Sequence, residues 1–215
     1  MPTLGVYIGR FQPLHNGHVE TIEKGLEMYD KLLIIIGSIN QNNTCNPFSY
    51  QERSQMIFDT IPHENLIIKG LADRDELEPK KDISIDRIWY IHLNNLINDT
   101  IRELSLGGGS SSSDSSCSNS SCSNSDTKVI LLGATKDDST SEYMKLIKES
   151  TRVSDHYMPI IKYNDNEHSN KILHATDIRI MIRDYHCSTE LNKSIILKKI
   201  QACVPDAVIK IINKI

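Results

Sequence analysis

The chain has 215 residues, 39% of them hydrophobic and 24% charged, with a formal net charge of −4 at neutral pH. That suffices for one α/β domain and falls short of two full ones. The mild acidity gives no footprint for a nucleic-acid backbone, no apolar run approaches the ~18 residues of a membrane helix, and Cys45, Cys117, Cys122, Cys187 and Cys203 are too scattered for a disulfide scaffold.

The first residues carry neither a basic lead nor a signal-like core, so the expectation is a soluble cytoplasmic protein with reduced thiols. Residues 3–8 alternate and then run apolar, as a short buried strand does, and residues 19–29 place Ile22, Leu26 and Tyr29 on one helical face. Between them lie Gly9, Arg10, Phe11, Gln12, Pro13, Leu14, His15, Asn16, Gly17 and His18. A helix start offers unpaired N–H groups and partial positive charge, which favour phosphate. His15 and His18, three apart, share one side of that start. Gly9 and Gly17 permit close approach, and Arg10 adds a fork of donors.

Residues 31–36 form a continuous apolar run, the pattern of a strand covered on both faces. Strand, helix and strand make a βαβ unit, whose ligands bind beyond the carboxyl ends of the strands. Ser49 and Glu52 form a capping box for a helix reaching about Thr60. Arg53 on that helix either meets a ligand or pairs with a helix neighbour. Residues 65–69 predict a third strand, and residues 85–104 a long helix with Trp89 near its start. Trp89 reads either as a core anchor or as an aromatic platform in a site. Residues 107–126 are serine-rich and cannot bury a core, so they predict a flexible insertion. A metal site on Cys117 and Cys122 lacks a second ligand pair.

Residues 128–133 predict a fourth strand, with Lys136 in the charged turn after Gly133, followed by a helix over 139–148 and a fifth strand over 152–163. Thr176 predicts an N-cap for a helix over 178–185, whose first turn carries Arg179. Residues 192 onward, broken at Pro205, read as packing helices. The domain expectation is an α/β unit over 1–186 and a helical tail over 187–215 packed on it. No Ser-His-Asp order, zinc-type cluster or Walker lysine is present.

The run Gly9 to His18 resembles the G-R-F-Q-P-x-H-x-G-H motif of the HxGH nucleotidyltransferase superfamily, in the form carried by nicotinamide-mononucleotide adenylyltransferases of archaeal and bacterial type. Asn46-Pro47-Phe48 with Glu52, Arg53, Met56 and Ile57 is similar to that family's second block. Asp82-Ile83 followed by Trp89 resembles its nicotinamide-stacking block, Gly133-Ala134-Thr135-Lys136 a later turn, and Thr176, Ile178 and Arg179 its late phosphate motif. Cys45, Ala134 and His174 stand where the family often has a basic residue, a histidine and a serine.

The resemblance implies a Rossmann-like parallel sheet with helices on both faces, the nucleotidyltransferase fold. It implies adenylyl transfer from ATP to nicotinamide mononucleotide, with Mg2+ entering on ATP, NAD as product, no metal ligand from the protein, and a homo-oligomer. It assigns His15, His18, Arg10 and Arg179 to catalysis. Gly9, Arg10, Phe11, His15, Gly17, His18, Gly133, Lys136, Thr176 and Arg179 fall to ATP, and Asn46, Phe48, Arg53, Asp82 and Trp89 to the mononucleotide. Two other readings remain open: a sibling enzyme acting on nicotinate mononucleotide, phosphopantetheine or a sugar or lipid-head phosphate, and a non-catalytic nucleotide sensor.

Overall fold

The computed structural model describes residues 2–44, 46–72, 85–106, 127–134, 153–158, 162–164 and 170–214. Five strands, β1 (Thr3–Gly9), β2 (Lys31–Ile36), β3 (Leu66–Gly70), β4 (Lys128–Ala134) and β5 (Val153–Met158), form one sheet in the order β3-β2-β1-β4-β5. All four pairings are parallel, so the sheet is the α/β type expected. The order reverses at β1: the chain steps outward to β2 and β3, then returns to place β4 on the other side of β1. Such a reversal opens a crevice beyond the carboxyl ends of β1 and β4. Consistent with that, the β1–β4 ladder stops at Tyr7–Leu132, whereas β1 stays paired with β2 as far as Gly9–Ile36.

The period-2 alternation of the strands divides the core. Tyr7, Leu32, Ile34, Ile36 and Leu132 face one side, with Ile22 of α1 (Asn16–Met28) and Met56 and Ile57 of α2 (Tyr50–Thr60). Leu4, Val6, Leu33, Ile35, Val129 and Leu131 face the other, covered by Leu93 and Ile97 of α3 (Ile85–Leu106). The first side also receives Ile178 and Ile182 of α4 (Ala175–Cys187), Ile200 of α5 (Glu190–Gln201) and Val208, Ile209, Ile211 and Ile212 of α6 (Asp206–Ile212). The C-terminal helices therefore share a core with α1 and α2.

Three boundaries differ from expectation. The strand expected over 152–163 is divided: β5 ends at Met158, and β6 (Lys162–Asn164) joins β7 (Asn170–Ile172) in a separate antiparallel pair. Pro159, which has no N–H to give to a ladder, stands between them in sequence. Helix α1 begins at Asn16, because His15 is its N-cap. Helix α4 begins at Ala175 and is capped by His174 instead of Thr176, since the N–H groups of Asp177 and Ile178 close the first turn on the His174 carbonyl. The expected helix over 139–148 and the serine-rich insertion lie outside the described residues. Among the described residues, no helix is long and apolar enough to cross a membrane.

Close approach of α1 to the sheet requires Gly5. A Cβ there would lie 2.7 Å from Tyr29 Cδ2 and 2.9 Å from Leu32 Cδ1. Gly5→Ala is therefore expected to cost about 1–3 kcal/mol by overpacking, read as a lowered urea midpoint with an unchanged denaturant slope.

Candidate active site

Two histidines cap α1 reciprocally. His15 is extended (φ −139, ψ 166), and its Nδ1 accepts the His18 N–H at 3.4 Å, while His18 Nδ1 accepts the His15 N–H at 3.3 Å. The rings stack with centroids 3.6 Å apart and planes 19° from parallel. Phe11 meets His18 edge-on at 4.9 Å, and Tyr7 meets Phe11 the same way at 5.6 Å. An Nδ1 that accepts a hydrogen bond carries no proton, so each neutral ring keeps its proton on Nε2. Burial lowers His15 to about 4, helped by the charge of neighbouring His174. Burial, and then His15, holds His18 well below the usual 6.5. At neutral pH the pair therefore presents N–H dipoles, not two cations.

The two motif glycines make room for this arrangement. A Cβ on Gly17 would sit 3.1 Å from the His15 ring, and one on Gly9 would sit 3.0 Å from the Phe11 ring. Side chains of the chain itself thus make a close approach at both glycines. The helix amides are also largely committed: Asn16 N–H donates to Cys203 O at 2.9 Å, and the N–H groups of His18 and Val19 donate to His15 O. Of the first three residues of α1, only Gly17 has an N–H without a partner among the described residues.

The start of α4 is more open. His174 makes no side-chain cap, and among the described residues the N–H groups of Ala175 and Thr176 have no partner. Arg179 donates from Nη1 to Gln12 O at 2.8 Å and from Nη2 to Thr176 Oγ1 at 3.0 Å. It thereby fastens α4 to the loop that leads into His15. Arg179, bonded to Thr176, thus meets the loop before His15, and His174 is an exposed residue whose charge reaches His15. The sequence marked His174 only as a departure from a pattern. Its place on a helix cap directed at the first crossover was the signal available.

Other residues expected at the site are enclosed. Arg53, expected to meet a ligand or a helix neighbour, lies among backbone carbonyls. Its Nη1 donates to Arg10 O and Gly37 O at 2.8 Å each, its Nη2 to Ser38 O at 3.2 Å, and its Nε to Ser49 O at 3.2 Å. These carbonyls surround Phe11 (φ 49) and Ser38 (φ 53), where the chain turns left-handed after β1 and β2. Phe48 is enclosed too, and its main chain is held at both ends by Gln12: Nε2 donates to Phe48 O at 2.7 Å, and Oε1 accepts from Phe48 N–H at 2.9 Å. The Phe11 ring lies in the core and supports His18.

Arg10 is exposed, and among the described residues its guanidinium has no partner. Asn46 is buried; its N–H and Nδ2 both donate to Asn43 Oδ1, at 3.1 and 3.4 Å, and its own Oδ1 has no partner among the described residues. Trp89 is half-buried against the Leu4–Val6 side of the sheet. Gly133 lies in β4, beyond the point where β4 parts from β1. Asp82, Lys136, Cys117 and Cys122 lie outside the described residues. Among those described, no group of three or more His, Cys, Asp or Glu is arranged to hold a metal.

A family model described as cytidylyltransferase-like matches residues 6–181. A nicotinamide-nucleotide adenylyltransferase of Thermococcus onnurineus (strain NA1) is 35% identical over 98 residues, covering 45% of this chain and 50% of that protein. A protein of the same name from Saccharolobus solfataricus (strain P2) is 37% identical over 86 residues, covering 40% of this chain and 48% of its own length. The chain spans about half the length of these curated relatives. The crystal structure of a bifunctional NMN adenylyltransferase/ADP ribose pyrophosphatase from Francisella tularensis superposes with a TM-score of 0.50 at 26% identity, covering 88% of this chain and 44% of that one.

Two outcomes follow from the geometry. Arg53→Met strips four carbonyls of a charged donor inside the protein and is expected to cost about 3 kcal/mol in urea denaturation; Arg53→Lys should restore only part of that, having no planar fork. Because His15 titrates at about 4 when folded and near 6.5 when unfolded, the unfolded chain takes up its proton first on acidification. The resulting stabilisation is complete above pH 6.5 and is lost as pH falls toward about 4, by roughly 3 kcal/mol. His15→Asn should flatten the acid limb of a stability-against-pH profile.

Proposed function

The chain belongs to the cytidylyltransferase-like family, and on that premise we propose that it transfers AMP from ATP to the 5′-phosphate of nicotinamide mononucleotide, giving NAD and pyrophosphate. The observation that carries this reading is the stacked imidazole pair at the start of α1 together with the open start of α4, whose His174 charge reaches His15 and whose Arg179 bonds the Gln12 carbonyl, where the sheet order reverses. The names of the Thermococcus and Saccharolobus relatives and of the Francisella structure point the same way.

In this reading a phosphate oxygen of the mononucleotide attacks Pα of ATP. A bond forms from that oxygen to Pα, the bond from Pα to the bridging oxygen breaks, and its electron pair leaves on pyrophosphate. A phosphate monoester has its second pKa near ~6 and is ionised at neutral pH, so no protein base is required. The Mg2+ that enters with ATP neutralises triphosphate charge as part of the substrate. The protein's share is alignment and charge stabilisation. His15 and His18 supply Nε2–H donors, Ala175 and Thr176 supply amides, and Arg10 and Arg179 supply guanidinium charge.

Neutral imidazoles suit this task because they need no burial of charge before substrate arrives. A triphosphate beside them favours their protonated forms, so charge enters the site with the anion it meets. Asn46, Asp82 and Trp89 fall to the mononucleotide side. The same reading takes residues 1–186 as the catalytic unit, 187–215 as helices packed on it, and the cytoplasm as its place of work.

Incubation with ATP, Mg2+ and a panel of phosphates, following pyrophosphate, tests the assignment; release with nicotinamide mononucleotide in clear preference to phosphopantetheine or sugar phosphates is expected. His18→Ala should fold normally and lose about a hundredfold or more in kcat, the scale of losing one oxyanion-type donor. A near-normal rate in that variant contradicts the mechanism.

A further inference from the structure

Helix α5 ends where α1 begins. Ala202 is the C-cap of α5, and its carbonyl accepts from Asn16 Nδ2 at 3.2 Å, while the next carbonyl, Cys203 O, accepts from Asn16 N–H at 2.9 Å. The negative, carbonyl end of one helix thus faces the positive, amide end of another through a single residue. The corner is anchored from behind: Ile200, Cys203 and Val204 are buried in the same cluster as Leu14 and Ile22, which flank the His15–His18 cap in sequence. Asn16 itself is exposed and contributes nothing to that cluster. Nor does α1 need an asparagine at its first position for helix formation, where alanine is the better helix former. What the asparagine side chain adds to the backbone bond is one directed bond, made one residue from His15 and two from His18.

We propose that Asn16 is a positioning residue: by clasping the Ala202–Cys203 corner it holds the reciprocal His15–His18 cap in register, which makes the C-terminal helices a working part of the site. His15 has an extended backbone and long cap bonds of 3.3 and 3.4 Å, so the pair has little strength of its own with which to resist displacement. The groups facing His15 are His18, stacked on it, and His174 from α4. Any slackening of the start of α1 lets water reach the His15 ring and lifts the burial that keeps it neutral. The turnover consequence rests on the adenylyl-transfer reading; the structural consequence does not.

Two variants separate positioning from general helix stability. Asn16→Ala removes the side-chain bond without harming helix formation. Asn16→Asp keeps the shape and suits the positive end of the helix, but it turns an oxygen toward the Ala202 carbonyl and cannot donate. Both are expected to lose about tenfold in kcat, the equivalent of one net hydrogen bond, with KM for ATP little changed and the circular dichroism spectrum preserved. In ligand-free Asn16→Ala, 15N NMR of the imidazoles during acid titration should show His15 moving from about 4 toward 6.5. Full kcat in Asn16→Asp, or an unmoved His15 titration in Asn16→Ala, overturns the proposal. Should the unmodified protein release no pyrophosphate with any phosphate tested, the functional reading fails, and the His15 titration alone decides the positioning role.

Discussion

The structure depends on how the chain leaves its two central strands. After β1 and β2 the backbone turns left-handed at Phe11 and Ser38, neither of them glycine. Such a conformation costs roughly 1–2 kcal/mol per residue and persists only where the surroundings impose it. Arg53 imposes it. One buried guanidinium collects the carbonyls of Arg10, Gly37 and Ser38 and returns to Ser49 on its own helix. A planar fork can satisfy several converging oxygens at once, which a single ammonium cannot. With the two exits fixed, Gln12 locks to the Phe48 main chain, and the loop between them delivers His15 to the start of α1.

What this frame holds is two helix ends, which the proposed function takes as one site. At α1 most backbone amides are already used, and the donors offered are the N–H groups of two stacked imidazoles, of which His18 meets the Phe11 ring. At α4 the reverse holds: the cap side chain stands aside, and backbone N–H groups and Arg179 are the donors. A polyanion in the crevice between them would meet directed dipoles on one side and a helix terminus with full positive charge on the other. The division follows from chemistry. Two imidazoles stacked at 3.6 Å cannot both carry charge inside a protein without heavy repulsion, so they serve as neutral donors until an anion is present.

Much of this was legible in the sequence, for reasons that can be named. The apolar run at residues 31–36 and the Ser49–Glu52 capping box are local signals, and both elements form where those signals fall. Spacing on helix starts plus a family likeness marks His15 with His18 and Thr176 with Arg179, and the structure shows both pairs, with Arg179 bonded to the Gln12 carbonyl. The surroundings of Arg53 are carbonyls. Every residue has one, so no sequence pattern marks them, and an arginine on an amphipathic helix looks the same whether it faces solvent or backbone. Gly9 and Gly17 are alike in this: absence of a Cβ shows that something can come close, and only the structure shows the Phe11 and His15 rings there. The contact of Asn16 with Ala202 and Cys203 spans nearly the whole chain and has no local trace at all.

The most direct measurement of the central claim is the protonation pattern of the paired imidazoles, read from 15N chemical shifts of His15 and His18 at neutral pH before and after addition of ATP with Mg2+. The account predicts, in the free protein, an unprotonated Nδ1 and a protonated Nε2 on both rings, with the Nε2 resonances moving when the nucleotide is added. A proton on either Nδ1 in the free protein, or Nε2 resonances indifferent to saturating nucleotide, would contradict it.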